Sequence, residues 1–238
     1  MKTIRLISAG IAFLMLAAPT VFAHHLWIEP AGDKWVVIRG IVSDRVDPYD
    51  PGRVREILAF DKDGNALDVE RMDRDDKVMF GAAANLSMAA VWSPWGYRVN
   101  TTRGKRLVGR AEAEAEGLHV ISAFHSTHYA KSIFSWSAAT KAPTGLRFEI
   151  IPLENPLEAS PGTRVRFRVL FDGEPLAGTT LYAESGNEAT TCDDGVAVVT
   201  VQESAFLLLY ARHRIDVDGD EEKDYDVFTT FLTFEVNQ

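Results

Sequence analysis

Short β-rich runs separated by turn chemistry recur along this chain at about ten-residue spacing, and no long amphipathic helix interrupts them. Lys34–Gly40 and Glu56–Phe60 are two such runs. Asp61-Lys62-Asp63-Gly64-Asn65 after the second reads as a hairpin turn, because Asp, Gly and Asn tolerate left-handed backbone geometry. Ala90–Trp92 and Tyr97–Thr101 flank Ser93-Pro94-Trp95-Gly96, which reads as another turn. Gly117–His125 alternates, with Leu118, Val120 and Phe124 on one face and His119, Ile121, Ala123 and His125 on the other. Arg147–Pro152, Arg164–Phe171, Thr179–Glu184, Gly195–Val201, Phe206–His213 and Val227–Val236 continue the pattern. Val108–Glu116 holds helix formers without an apolar stripe, so it is either a short exposed helix or a polar connection. Ala130–Trp136 fits a strand or a short helix equally. The expectation is an all-β protein of two β-sandwich-like halves.

The first 23 residues do not belong to that pattern. Lys2 and Arg5 make a basic start, Ile7–Leu16 is a mostly apolar run too short to span a bilayer, and Pro19 breaks it. Val21-Phe22-Ala23 then places small or short residues where signal peptidase reads them. The expected organisation is a signal peptide over 1–23, a β-rich domain over 24–142 and a β-sandwich domain over 143–238. Pro143-Thr144-Gly145 marks the change of texture between the last two. A product cut after Ala23 is exported, is expected in the periplasm, and is not held in a membrane.

Whole-chain charge is −9, and losing Lys2 and Arg5 with the leader makes it −11. Such a surface repels nucleic acid and anionic bilayers. Cys192 is the single cysteine. It allows no internal disulfide and no thiolate-rich metal site, and in Thr-Thr-Cys-Asp-Asp-Gly it reads as a turn thiol rather than a nucleophile. Any metal site must rely mainly on nitrogen and oxygen.

Cleavage after Ala23 would start the chain at His24-His25-Leu26-Trp27-Ile28-Glu29-Pro30. A terminal amine and the imidazole of the same residue can close a chelate around Ni(II), Co(II) or Cu(II) once both are deprotonated, and an amine pKa of about 8 permits that near neutrality. His25, His125 and His128 (in His-Ser-Thr-His-Tyr) and His213 are the other candidate metal ligands. On a strand, the spacing of His125 and His128 puts them on opposite faces. The acidic run Asp216–Glu222 lacks the glycine position and terminal glutamate of a calcium loop and reads as a solvated turn. No hydrolase, nucleotide-binding or zinc-protease motif is present.

Gly173–Val201 resembles the immunoglobulin-like and prealbumin-like modules of bacterial surface proteins. More broadly, the His-x-Leu-Trp-Ile-Glu-Pro start, Leu146–Pro156, Val169–Gly178, Ala211-Arg212-His213 and Thr230–Val236 resemble an exported bacterial family. That family is a domain of unknown function whose members are described as periplasmic components of nickel or cobalt uptake. The resemblance implies a non-enzymatic binding protein for nickel or cobalt that serves an inner-membrane metal transporter, with His24 and His213 at the family's histidine positions. Two other classes stand beside it. One is a metal-free adhesion or scaffold module. The other is a copper-dependent oxidase with a histidine brace, for which Trp92 and Trp95 would supply the aromatic substrate face.

Overall fold

The computed structural model describes residues 24–202 and 205–236; the expected leader lies outside them. The first half of the described chain carries β1 (His25–Ala31), β2 (Lys34–Ile41), β3 (Arg45–Val46), β4 (Glu56–Asp61), β5 (Glu70–Asp73), β6 (Val78–Gly81), β7 (Leu86–Thr101), β8 (Gly104–Arg106), helix α1 (Arg110–Ala115) and β9 (Val120–Ile133). The second half carries β10 (Phe148–Pro152), β11 (Arg164–Phe171), β12 (Glu174–Pro175), β13 (Thr180–Ala183), β14 (Glu188–Thr190), β15 (Val196–Thr200), β16 (Phe206–Asp216) and β17 (Tyr225–Glu235). The protein is all-β, as its periodicity requires.

One eight-stranded sheet forms the middle layer, in the order β14-β13-β16-β17-β9-β7-β4, with β8 attached to β7. It takes strands from both sides of residue 142, because β17 pairs in parallel with β9. A five-stranded sheet of β1, β2, β3, β5 and β6 covers one face. A four-stranded sheet of β10, β11, β12 and β15 covers the other. The alternation of side chains explains both cores. Leu208, Phe231, Ala130 and Val91 face the first layer and meet Leu26, Ile28, Val37 and Phe80. Leu209, Leu232, Phe228 and Tyr129 face the second and meet Phe148, Val165, Phe167 and Val169. The two sandwich-like halves thus share one sheet.

The hairpin at Asp61–Asn65 forms, and the Asp61 carboxylate accepts from the Asp63 and Asn65 amides. Val165, Phe167 and Val169 of β11 are buried while Arg164 and Arg166 are exposed, as the alternation predicts. Ala130–Ile133 resolves as the end of β9, and Phe134–Trp136 leave the strand. Val108–Glu116 contains the short helix. The acidic run is held as well as solvated: Asp224, just beyond it, bridges Arg110 and the Ala123 amide.

Ser93–Gly96 departs from expectation. It is a β-bulge inside a continuous β7 rather than a turn: Pro94 faces Thr127, Gly96 faces Ser126, and Trp95 is the extra residue between them. Gly96 supplies the positive φ of 79° that lets the strand resume. The bulge brings Trp95 and Arg98 onto the same face.

Lys131 and Glu149 form a fully buried ion pair at 2.9 Å, each side chain 2% exposed. Glu149 also accepts bonds from the amides of Thr144 and Gly145 and the Thr144 hydroxyl. It therefore ties the connection between the halves to the middle sheet. Burial pulls the Lys131 ammonium below its ordinary value, and Glu149 opposes that. Lys131→Met should cost about 3 kcal/mol in urea unfolding and Glu149→Leu somewhat more, about 4, because only the second also removes the acceptor of two backbone amides and the Thr144 hydroxyl. Equal losses would show that the amide bonds contribute nothing.

Candidate metal centre

His24 precedes β1 and lies at the open end of the interface between the first layer and the middle sheet. Its Nε2 is 3.0 Å from Oδ2 of Asp47. Asp47 reaches it because β3 folds back over Gly40: a Cβ there would stand 2.1 Å from the Arg45 carbonyl oxygen, so only glycine allows the approach. The Asp47 amide donates to the Arg39 carbonyl. Tyr49 fixes the following loop by donating to the Val37 carbonyl and accepting from the Val78 amide. Burial pushes the Tyr49 phenol up to about 12.

At the other end of β1, the Ile28 amide donates to Ser132 Oγ, which bonds Thr233 in turn. Trp27 donates to Glu29. The first strand is thereby held against the middle sheet on both sides of its start. A groove lies at that Ile28–Pro30 end, lined largely by apolar groups such as Trp35, Phe134 and Phe206, and none of the histidines lines it.

His25 is buried, 5% exposed, between Tyr210 and Phe231 at 5.7 and 5.9 Å. Its Nδ1 has no hydrogen-bond partner, and burial pulls its pKa down to about 4. His128 projects from β9 on the same side, its ring packed against Trp95 at 5.7 Å and Phe231 at 5.5 Å. Desolvation holds it well below its ordinary value, and Arg98, Arg212, Arg39 and His24 add to the effect. His24 is lowered too, first by burial and then by Arg39, with Asp47 opposing. All three imidazoles are therefore neutral near pH 7 and available as donors.

The structure brings His24, His25 and His128 together and separates the other two candidates. His128 and Thr229 are register partners, as are Thr229 and Arg212, so these three share a face. His213 and Phe228 lie on the opposite face, where His213 packs against Phe171 at 4.6 Å. His125 is on that far side as well, edge-on to Tyr97 at 5.2 Å. His213 therefore cannot join His24 in one coordination sphere, because the middle sheet stands between them. Burial lowers both His125 and His213. Cys192 is exposed and donates to Asp194, remote from these groups in the sheet order.

Asp47, Arg39, Trp95 and Arg98 complete the surroundings; of these only Trp95 stands in a stretch that its sequence marks, and Asp47, Arg39 and Arg98 lie in no motif. The Arg39 guanidinium lies 4.8 Å from the Trp95 ring centre and 3.7 Å from Asp47. Asp47 Oδ2 is buried without a hydrogen bond, despite its closeness to His24. Among the described residues, no three His, Cys, Asp or Glu side chains form a metal-holding group. No helix among them is long and apolar enough to cross a membrane.

These features define an all-β protein with a histidine–aspartate–arginine cluster where its first strand meets the shared sheet. Residues 21–215 match the family described as Domain of unknown function (DUF4198), and the chain belongs to that family. An uncharacterized protein of Haemophilus influenzae is 24% identical over 238 residues, spanning 96% of this chain and 97% of the relative.

Lowered imidazole pKa values fix the sign of the pH response. The folded state binds fewer protons than the unfolded chain between the ordinary histidine pKa of 6.5 and the value of about 4 at His25. Stability is complete above the unfolded value and falls as pH drops through that window. His25 should contribute a loss of the order of 2 kcal/mol. His25→Phe should flatten the fall in melting temperature between pH 7 and pH 4.5; an unchanged slope would show that the ring protonates freely in place.

Proposed function

We propose that the protein is an exported, non-enzymatic binding protein for a divalent transition metal, nickel or cobalt, which it passes to an uptake transporter in the periplasm. The observation that carries this reading is the pairing of His24 Nε2 with Asp47 Oδ2. They lie 3.0 Å apart, with the oxygen buried and not hydrogen-bonded. Two donors each about 2.1 Å from one metal, at an angle near 90°, are separated by about 3 Å. Cleavage after Ala23 would give His24 a free amine, which closes a chelate with Nδ1 of that ring rather than with Nε2. His128 lies on the same face, its ring packed against Trp95 and Phe231. His25, enclosed by Tyr210 and Phe231, serves as a packing residue behind His24.

A metal-free scaffold remains the second reading, because Trp92 and Tyr97 are 38% and 40% exposed on the opposite face. The two part on metal dependence. Protein with a sequenced His24 terminus should bind Ni(II) or Co(II) with a micromolar or tighter Kd in calorimetric titration. His24→Ala and Asp47→Asn should each weaken binding at least about tenfold, and His125→Ala and His213→Ala should not. Wild-type affinity in His24→Ala would end the terminal-chelate reading. Tighter binding of Cu(II), with peroxide-dependent oxidation of a polysaccharide, would favour the copper enzyme instead.

A further inference from the structure

The cluster around His24 holds more positive charge than it neutralises. Asp47 is the carboxylate beside His24, and its charge is already shared; the exposed Asp44 pairs only with Arg45 at the cluster's edge. Oδ1 accepts from Arg45 at 3.1 Å, while Oδ2 lies near Arg39 and His24. Arg98, half-buried on β7, makes no side-chain hydrogen bond or ion pair among the described residues. Arg53 stands close by: its Nη1 is 3.0 Å from where a Cβ on Gly96 would be, and its carbonyl accepts from Ser93. Trp95, 8% exposed beneath Arg39, has an indole N–H with no acceptor. Burial and the neighbouring Arg39 and Arg53 depress Arg98, so the guanidiniums feel one another.

Two deficits therefore coincide. The chain offers a transition metal the adjacent His24 and Asp47 side chains, fewer donors than the four to six such an ion takes, and among the described residues no third His, Cys, Asp or Glu completes a metal-holding group with them. It also surrounds that position with arginines that repel a bare dication. One kind of ligand removes both. A small anion that already chelates the metal brings the missing oxygen or nitrogen donors and a negative charge for the guanidiniums, whose planar forks match carboxylates.

We propose that the site takes its metal as an anionic chelate, a complex with a small polycarboxylate, whose free carboxylate pairs with Arg39 and Arg98 while His24 enters the metal's coordination sphere. The inference rests on the metal-binding reading above. Binding is a ligand exchange: the His24 nitrogen replaces one metal-bound water, and no electron is transferred.

Calorimetry on the processed full-length protein distinguishes the possibilities, using Ni(II) alone, Ni(II)–citrate, Ni(II)–histidine, and citrate and histidine without metal. The expected result is that Ni(II)–citrate binds about tenfold or more tightly than Ni(II) alone and than Ni(II)–histidine, which carries no net negative charge. Arg98→Gln should weaken that chelate at least about tenfold more than it weakens Ni(II) alone, with the melting temperature checked to show an intact fold. If citrate merely strips nickel from the protein, the chelate inference is overturned while the metal reading stands. Citrate or histidine binding equally well with and without nickel would make this a plain anion site and also overturn it. No binding of nickel in any form would remove the metal reading itself.

Discussion

β9 and β17 lie side by side in parallel from Phe124 and Tyr225 to Ile133 and Phe234. Most neighbouring strands here are antiparallel, and this one pairing converts two sets of strands into a single middle layer. It also decides which side chains face which cover. His128 shares a face with Thr229 and Arg212 and belongs to the first layer. His213 shares its face with Phe228 and belongs to the second. A one-residue slip in that ladder would exchange the two faces and move His128 away from His24. The buried Lys131–Glu149 pair lies next to this seam and resists such a slip, because a shift of β9 would draw the Lys131 ammonium away from its buried carboxylate.

The site depends on local irregularities superimposed on that regular layer. Gly40 lets β3 close over β2 and carry Asp47 to His24. The bulge at Trp95 turns an indole and Arg98 onto the face that a uniform ladder would have split between two sides. Neither device is visible as hydrophobic periodicity. Their shared effect is to collect several arginines around one aspartate within a chain whose net charge is −9. The local field is thus opposite in sign to the average surface, which is a reason to attend to the cluster rather than to the composition.

The strands were legible because alternation and turn residues report directly on a half-buried sheet. Val165, Phe167 and Val169 show it plainly, as does the Asp61–Asn65 turn. Ser93–Gly96 carries the residues of a turn but stays in the strand, because β9 pairs with it on both sides of a one-residue bulge. At the site, His24 and the opposite facing of His125 and His128 could be read from spacing. The separation of His24 from His213 could not, since it follows from a parallel pairing across about a hundred residues. Asp47 and Arg98 carried no local signal: a single aspartate after a short strand and an arginine two residues past a Trp-Gly pair are ordinary until the bulge and the glycine contact are known.

The same parallel pairing sets an order of events in time. β17 is among the last segments of the chain, whereas His24 stands before the first strand. Until β17 arrives, β9 has an open edge and the Phe231 wall behind His25 does not exist. At common synthesis rates the interval between the two strands is roughly five to twenty seconds. This is a high-contact-order closure, slow by nature and exposed to edge-to-edge association while it waits. The cluster at the beginning of the chain is therefore completed only when its end has folded, so a product truncated within β17 would lack the site as well as a strand.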